Sequence, residues 1–384
     1  MAVFSTVSRV VDGCGCLAAV GGEVKRLGAG RVHVVAGPSV ARVGILDKLL
    51  AWLAEDGIAA TAFTEVEPEP GLESVARSTA AAQQARPDVV VGIGGGSSLD
   101  MAKATAVMLT NEGPIAAYFG LDRVPRPGVP LLLIPTTAGT GSEMSSICVL
   151  SDTAHNVKKG VVSEHLFAKT ALLDPELTQD LPPVITATTG MDALVHAMES
   201  FTGVRATPTT DLFNLEAIGL VAANLRQAFA YGGNLAAREN MLRASNLAGR
   251  AFSNTQNGLI HALALAIGGR AHQSHGMLTG CIAPWVMEYN LIANPAKYAA
   301  IARLFGEPTD GLSEVAAARR SVTAVRSLLA DLGMPATLAG LGVGRDAIAG
   351  IAAATLGETR LIQNNARHVS EKAIVGLLEA HYDA

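Results

Sequence analysis

The chain has 384 residues, a formal net charge of -5 at pH 7, 49% hydrophobic residues and 16% charged residues. This length and composition predict two folded domains with substantial cores and argue against disorder. The sequence has neither a long basic run nor an apolar stretch of membrane-spanning length, so neither nucleic acid nor a membrane is expected as a partner. We also expect a cytoplasmic protein, because no signal peptide is apparent and the cysteines show no disulfide or zinc-ribbon pattern.

The first half of the sequence alternates β-branched runs with segments of helical periodicity. Strands are predicted at 31–37, 59–63, 88–92 and 129–134, and helices at 43–56, 72–85 and 98–109. This alternation predicts an α/β domain built on a parallel sheet. From Leu181 onward the β-branched runs stop, and Ala- and Leu-rich helical segments follow. We therefore predict an α/β domain over residues 1–182 and an all-helical domain over residues 183–384.

Two loops rich in glycine or hydroxyl groups follow predicted strands. Gly94-Gly95-Gly96-Ser97 lies between a strand and a helix, where glycines allow close approach of a pyrophosphate to free helical N–H groups. It matches neither the Rossmann fingerprint nor the P-loop, so an ordinary tight turn is the alternative. Thr136-Thr137-Ala138-Gly139-Thr140 follows a strand at the same carboxyl edge of the sheet, where ligands of α/β domains bind. The alternative for this loop is a polar helix cap.

Two distant segments of the second half supply metal-ligand residues. Asp192 and His196 have i, i+4 spacing, so a helix would place them on one face, and His261 and His275 follow later. A carboxylate with three imidazoles suits Fe²⁺ or Zn²⁺ better than Mg²⁺ or Ca²⁺. A lone histidine is more often an ordinary core or surface residue, but an unpaired buried imidazole is costly. We expect the helix that carries His261 to end at Gly268-Gly269.

Taken together, these segments resemble the iron-containing (group III) alcohol dehydrogenases over nearly the whole chain. The matching stretches are Gly94-Gly95-Gly96-Ser97 with Asp100 and Lys103, Pro135 to Glu143, Thr189 to Glu199, and Gly258-Leu259-Ile260-His261 continuing to His275-Gly276. The resemblance implies a dehydroquinate synthase-like architecture, with an N-terminal dinucleotide-binding domain and an all-α C-terminal domain. It also implies one divalent metal on Asp192, His196, His261 and His275.

The resemblance further implies which residues contact the cofactor. They are Gly95, Gly96 and Ser97 at the pyrophosphate, Thr136, Thr137 and Thr140 near the two riboses, and Lys159 and Leu177. Lys158 remains the alternative to Lys159. Phe252 and Ser145 are expected to line the substrate pocket.

Three positions depart from the family pattern. Leu265 stands where many members carry a proton-relaying histidine, so His272 becomes the candidate for that role. Gly37 replaces an Asp that binds the adenosine ribose in NAD-specific members, and NADP is therefore expected to be accepted as well as NAD. Arg270 stands where an apolar residue is common. Its guanidinium is expected either to bind an anionic substrate group or to form a surface salt bridge.

The sequence thus predicts a metal-dependent, NAD(P)-linked alcohol dehydrogenase or aldehyde reductase, active as a dimer. A small aldehyde with an anionic group is the favoured substrate, because of Arg270 and His272. Alternatives of the same fold are a maleylacetate reductase-like enzyme, which the complete metal set argues against, and a non-redox lyase that uses NAD. A nucleotide-binding protein without catalysis is a further alternative if Leu265 abolishes proton transfer.

Overall fold

A computed structural model describes residues 3–152, 157–271 and 273–383. The chain divides into two compact units. The first unit runs to Thr137 and then from Gly141 to Asp180, while the second comprises Ala138–Thr140 and the chain from Leu181 onward. A parallel sheet with helices in the first unit and helices in the second confirm the predicted fold class.

The first unit contains all the strands of the described ranges. They are β1 (Val10–Asp12), β2 (Arg31–Ala36), β3 (Ala59–Phe63), β4 (Val89–Gly94), β5 (Gly120–Leu121), β6 (Leu131–Pro135), β7 (Ile147–Asp152), β8 (Val157–Val162) and β9 (Thr170–Leu173). Its helices are α1 (Val20–Arg26), α2 (Pro38–Arg42), α3 (Ile45–Glu55), α4 (Leu72–Ala85) and α5 (Gly96–Met108). A parallel sheet has the order β1-β9-β6-β4-β2-β3, and β5, β8 and β7 form a second, smaller sheet.

Alternation along the strands creates two apolar cores in this unit. Val90 and Leu133 belong to one buried cluster with residues of α4 and α5. Their sequence neighbours Val91 and Leu132 belong to another cluster with residues of α3. Successive side chains of a strand point to opposite faces, so helices on both faces bury these strands completely.

The strand order brings the candidate cofactor loops to one edge of the sheet. Ala36 pairs with Ile93, and Gly94 pairs with Pro135, so the carboxyl ends of β2, β4 and β6 lie side by side. In the sheet, β3 lies next to β2 toward one edge, whereas β6 lies next to β4 toward the opposite edge. The chain therefore runs in opposite directions across the sheet after β2 and after β4. Such a reversal of strand order opens a crevice at the carboxyl ends of the strands, and ligands bind there in α/β folds.

The second unit contains only helices and turns among its described residues. The helices are α6 (Pro183–Thr202), α7 (Pro208–Ala230), α8 (Leu235–Thr255), α9 (Leu259–Ala271), α10 (His275–Asn290), α11 (Pro295–Leu304), α12 (Glu314–Asp331), α13 (Ile348–Gly357), α14 (Thr359–Asn364) and α15 (Glu371–Ala380). Helix α6 is buried almost from end to end, which explains why most of its residues are small or apolar. In the described ranges, no helix is both long and apolar enough to cross a membrane.

Most of the predicted strands and helices form within two residues of their expected limits. The prediction that Gly268-Gly269 ends a helix was wrong, because α9 continues through both glycines to Ala271. Glycine lowers helix stability by about 1 kcal/mol without preventing it, and tertiary packing outweighs that preference. Strands β1, β5 and β9 were not predicted because they have only two to four residues. Strands β7 and β8 have six residues each and were not predicted because polar or charged residues and a glycine interrupt their apolar patterns.

Candidate metal centre and cofactor loop

Helix α6 presents the first two candidate ligands on one face. Asp192 and His196 are 4% and 6% exposed, and the i, i+4 spacing brings His196 Nδ1 to 3.8 Å from Asp192 Oδ2. Thr279 of α10 donates its hydroxyl to Asp192 Oδ1 at 3.1 Å, which orients the carboxylate. A buried carboxylate beside two imidazoles is a typical environment for a divalent transition metal.

Close packing of α10 on α6 brings His275 to Asp192. A Cβ atom at Gly276 would lie only 2.2 Å from the carbonyl oxygen of Thr188, so a side chain at this position would separate the two helices. His275 Nε2 lies 3.8 Å from Asp192 Oδ1. One ligand-type atom each of Asp192, His261 and His275 lies within 4.8 Å of the others. Three of the four residues predicted as ligands therefore form one compact group.

His196, the fourth predicted ligand, lies beside this group. Its ring centroid is 4.6 Å from that of His261 and 4.4 Å from that of Phe252, against which it stacks. Its Nδ1 lies 3.3 Å from the carbonyl oxygen of Gly139, which accepts a hydrogen bond from the Nδ1–H group. Burial, reinforced by the neighbouring His261, lowers the pKa of His196 well below its usual value. The imidazole is therefore neutral, with a lone pair on Nε2 available to a metal.

His261 supplies the test of whether these residues fit a metal. Its Nδ1 donates to Glu199 Oε2 at 2.6 Å. Its Nε2 is buried and has no hydrogen-bond partner among the described residues. An unpaired buried nitrogen is costly, and a divalent cation would satisfy it. The donor set and this nitrogen together fit a metal of the Fe²⁺ or Zn²⁺ type.

Glu199 is a further residue of this site, to which the sequence pattern assigned no role. It lies three residues after His196 on α6 and is 6% exposed. The i, i+3 spacing from His196 and the carboxylate charge in an apolar helix were the available signals. What could not be read from the sequence is its partner, because His261 lies 62 positions further along the chain.

In the first unit, the glycine-rich loop ends at the N-terminus of α5. Gly95 is the residue before the helix, and among the described residues no side chain caps it and no acidic residue occupies the first turn. A Cβ at Gly94, which has φ +143°, would lie 2.6 Å from Ser98 Oγ. The uncapped helical N–H groups and the close backbone packing fit a dinucleotide pyrophosphate. Gly96 and Ser97, both half-buried, begin the helix.

Gly37 lies at the neighbouring strand end. It precedes α2 directly after β2, and a Cβ there would lie 3.2 Å from Ser98 Oγ. A side chain at this position would therefore project beside the first turn of α5. Thr136 is also held at this edge, since its backbone N–H donates to the carbonyl of Gly94 at 2.9 Å. Thr137 is half-buried next to it, whereas Thr140 belongs to the second unit.

The two candidate lysines of β8 have different surroundings. Lys158 forms an ion pair with Glu69, whose backbone N–H donates to Ser97 Oγ at 3.2 Å. Lys159 is exposed, with its Nζ 5.6 Å from the ring centroid of Phe119. These contacts favour Lys158 over Lys159 as the lysine beside the glycine-rich loop.

Within the first unit, Ser145 is buried and Leu177 is half-buried. Ser145 is 3% exposed, and its Oγ accepts a hydrogen bond from Lys103 Nζ at 2.9 Å. Lys103 is fully buried and also donates to Ser142 Oγ and to the carbonyl oxygen of Ile147, so it holds this loop in place. Leu177 packs against the apolar cluster shared with α3. The Ser145 hydroxyl is therefore buried and bonded to Lys103 within the first unit, and it is not exposed on a surface.

Arg270 does not follow a turn of the chain at Gly268-Gly269, as the sequence predicted. Because α9 does not end at Gly268-Gly269, Arg270 stays on the helix, is exposed and donates from Nη1 to the carbonyl of Ala266 at 2.8 Å. Its Nη2 lies 3.2 Å from the position of a Cβ on Gly350 of α13. The geometric reason for expecting it beside the metal group is therefore lost. His272 lies outside the described residues.

Comparison with known proteins agrees with these features. Residues 7–175 match the family described as iron-containing alcohol dehydrogenase, and residues 186–382 match the C-terminal part of the Fe-containing alcohol dehydrogenase family. Sulfoacetaldehyde reductase of Bilophila wadsworthia (strain 3_1_6) is 45% identical over 384 residues, covering 100% of this chain and 99% of that protein.

Two solved structures extend the likeness to three dimensions. One of a 1,3-propanediol oxidoreductase has a TM-score of 0.97 and 37% identity, with 100% of both chains covered. One of a sulfoacetaldehyde reductase from Bifidobacterium kashiwanohense in complex with NAD⁺ has a TM-score of 0.91 and 27% identity, covering 100% of this chain and 99% of that one.

Fold, candidate site and relatives define one class of protein, a metal-containing oxidoreductase that uses a nicotinamide dinucleotide. The chain belongs to the iron-containing alcohol dehydrogenase family. Its activity is that of an NAD-linked alcohol dehydrogenase or aldehyde reductase, as the sequence predicted.

Proposed function

We propose that Asp192, His196, His261 and His275 hold one divalent metal, Fe²⁺ or Zn²⁺, and that a short anionic aldehyde is reduced there. The observation that supports the metal most strongly is the buried His261 Nε2, which lacks a partner among the described residues. His275 and Asp192 support it further, because their ligand-type atoms lie within 4.8 Å of one of His261. The two compact units would then be the cofactor domain and the metal domain.

The chain's own residues would prepare this site in several ways. Thr279 holds the Asp192 carboxylate, and the carbonyl of Gly139 fixes the tautomer of His196. Phe252 covers one face of His196 and excludes water from it. When bound, the metal supplies a Lewis acid toward the substrate oxygen, and the reduced nicotinamide supplies the hydride. We assign the delivery of the proton to His272, since Leu265 has no titratable group.

The proposed substrate class rests on the relatives. The 45% identical relative over the full chain is a sulfoacetaldehyde reductase, and a solved structure with a TM-score of 0.91 carries the same name. We therefore propose a C2 or C3 aldehyde with a sulfonate or similar anionic group. A hydrogen bond from the protein to such an anion contributes about 1.5–3 kcal/mol, or roughly one to two orders of magnitude in kcat/KM.

A substrate panel tests this proposal. The purified protein, reconstituted separately with Fe²⁺ and Zn²⁺, would be assayed with NADH and NADPH by nicotinamide absorbance. Sulfoacetaldehyde would be compared with the neutral 3-hydroxypropanal, which has a similar size. We expect kcat/KM to be at least about tenfold higher for the anionic aldehyde. Equal values, or a preference for the neutral aldehyde, would reject the anionic substrate.

A neutral hydroxyaldehyde is the second candidate substrate. It is favoured by the TM-score of 0.97 to a 1,3-propanediol oxidoreductase and by the exposed position of Arg270. The same panel distinguishes the two candidates. Metal dependence is common to both, so loss of activity on metal removal would support the metal site without deciding the substrate.

For the cofactor, we propose contacts from the loop Gly95-Gly96-Ser97, from Thr136, Thr137 and Thr140, and from Leu177. Lys158 is our preferred lysine, because the residue that pairs with it also donates to Ser97. Gly37 leaves room beside the first turn of α5, and no carboxylate at that position would repel a 2′-phosphate. We therefore propose that NADPH is accepted along with NADH.

We also propose a cytoplasmic homodimer. All four cysteines lie in the described part of the chain, and no disulfide joins them there, which suits a reducing compartment. The dimer is proposed from the family resemblance. Sedimentation velocity of the purified protein tests the oligomeric state, and cell fractionation tests the location.

A further inference from the structure

A buried carboxylate on α6 makes an unusual set of contacts next to the candidate metal group. Glu199 follows Asp192 and His196 at i+7 and i+3, so all three side chains share one face of the helix. Like them it is nearly inaccessible, at 6% exposure. A charged carboxylate in such a position is stable only if hydrogen bonds replace its lost hydration.

Two of those hydrogen bonds come from the backbone at the start of α9. The N–H of Ile260 donates to Glu199 Oε1 at 2.6 Å, and the N–H of Gly258 donates to Oε2 at 2.8 Å. A Cβ at Gly258 would lie 3.1 Å from Oε1, so glycine allows the close approach. The carboxylate therefore caps α9 and complements the positive end of its dipole.

The remaining hydrogen bond comes from the ligand candidate itself. His261 Nδ1 donates to Glu199 Oε2 at 2.6 Å, and Glu199 is thus anchored to the same helix that carries His261. Since a carboxylate can only accept, Nδ1 must carry the proton, and the lone pair lies on Nε2. Nε2 is the buried atom that lacks a partner among the described residues. The hydrogen bond from Nδ1 to Glu199 therefore determines both the tautomer and the orientation of the His261 ring.

We propose that Glu199 is a positioning residue for the metal centre: its carboxylate fixes the rotation of the His261 ring and the tautomer that has its lone pair on Nε2. This inference rests on the proposed metal site. Outer partners of this kind typically change metal affinity by about 10–100-fold when they are replaced. A role as a helix cap alone would instead change the stability of α9 and leave metal affinity unaltered.

The test compares metal binding by purified full-length variants. Glu199→Gln keeps the size of the side chain but removes the charge and places an N–H donor against backbone N–H groups. Metal-free protein would be titrated with Zn²⁺ in competition with a chromophoric chelator, and with Co²⁺ for its ligand-field spectrum. We expect about 10–100-fold weaker Zn²⁺ binding and a changed Co²⁺ spectrum. Unchanged affinity and spectrum would overturn the inference.

A matched control separates positioning from loss of stability. Asn214, on α7, is buried and donates to the Oγ of Ser200, the residue that follows Glu199 on α6, at 2.9 Å. Asn214→Ala should lower the melting temperature of the metal-free protein but leave Zn²⁺ affinity at the wild-type value. Equal weakening of Zn²⁺ binding in both variants would assign Glu199 a purely structural role.

Two further variants keep the outcome decisive. If Glu199→Gln fails to fold, Glu199→Asp provides a second variant, because it keeps the charge on a shorter side chain. Glu199→Asp should bind Zn²⁺ more weakly than the wild type, and wild-type Zn²⁺ affinity in this variant would overturn the inference.

In a His261→Ala background, Glu199→Gln should cause no additional loss of Zn²⁺ affinity, and an additive loss would contradict coupling through His261. Failure of the wild-type protein to bind metal would instead reject the proposed function.

Discussion

The ring of Phe252 stacks on the ring of His196, with 4.4 Å between centroids and 23° between planes. Phe252 lies near the end of α8 and is 6% exposed, whereas His196 lies in the middle of α6. The stacking covers one face of a candidate metal ligand with an aromatic surface. It restricts the rotation of the imidazole and keeps water away from it.

Replacing Phe252 should therefore weaken both the fold and the metal site. Phe252→Ala is expected to lower the free energy of unfolding by about 3 kcal/mol, because a buried aromatic ring is lost. Metal affinity should fall as His196 gains rotational freedom. Urea unfolding and Zn²⁺ competition titrations measure the two effects. Phe252→Leu, which retains most of the apolar volume, should show smaller losses, and a wild-type metal affinity in Phe252→Ala would contradict the role given to the stacking.

His261→Ala should remove most of the bound metal while the protein stays folded, with only a weak residual Zn²⁺ affinity from the other ligands. The substitution removes the buried Nε2 that lacks a partner among the described residues, together with its carboxylate-bound Nδ1. Metal content by elemental analysis and far-UV circular dichroism check the two parts of this prediction. His165, which is exposed in the first unit, offers a matched control, because His165→Ala should retain metal and activity. Full metal content in His261→Ala would remove this residue from the ligand set.

Gly37→Asp should shift cofactor preference toward NADH. A side chain at this position points toward the first turn of α5, since the Cβ would lie 3.2 Å from Ser98 Oγ. A carboxylate there would repel a 2′-phosphate, and about 1.4 kcal/mol of repulsion changes the ratio of kcat/KM values tenfold. Gly37→Ala controls for the steric effect and should leave the ratio near that of the wild type. An unchanged NADH to NADPH ratio in Gly37→Asp would place the adenosine ribose elsewhere.

Arg270→Ala should affect anionic and neutral aldehydes equally. Its guanidinium is exposed and donates to a carbonyl of its own helix, so the expected change in stability is within about 0.5 kcal/mol. Arg303, another exposed arginine in the last turn of its helix, provides the comparison as Arg303→Ala. Steady-state kinetics measure kcat/KM of both variants with the anionic and the neutral aldehyde. A selective loss on the anionic substrate would restore the substrate-binding role predicted from the sequence.

His33 should make the first unit less stable in mild acid. This side chain of β2 is buried, its Nδ1 lies 2.9 Å from Thr61 Oγ1, and burial lowers its pKa to about 4 from a usual value of 6.5. Below pH 6.5 the unfolded chain binds a proton that the folded chain does not. The free energy of unfolding should therefore fall between pH 6.5 and pH 4, by a total on the order of 2 kcal/mol.

Urea unfolding at pH 7 and pH 5 measures this contribution. His33→Leu removes the titrating group and should show a smaller difference in unfolding free energy between the two pH values than the wild type. His165→Ala, which removes an exposed histidine, should keep the wild-type difference. An unchanged pH dependence in His33→Leu would show that His33 titrates alike in the folded and unfolded states.

Local sequence determined much of this architecture. Strand β3 and helix α4 form over the residues predicted from their periodicity, because side-chain alternation and helical spacing are local properties. The i, i+4 spacing of Asp192 and His196 likewise decided that both would lie on one face of α6. The glycine-rich loop was recognisable because it joins a buried strand to a helix N-terminus.

Only the tertiary structure decided which distant groups meet. The proximity of His275 to Asp192 depends on the close packing of α10 against α6 at Gly276, and that of Glu199 to His261 on the packing of α9. Helix α9 likewise continues through two glycines, so that Arg270 lies exposed on a helix and not after the turn that the sequence predicted. Spacing along a chain fixes the face on which a side chain lies, but contacts across many residues arise only when whole helices pack.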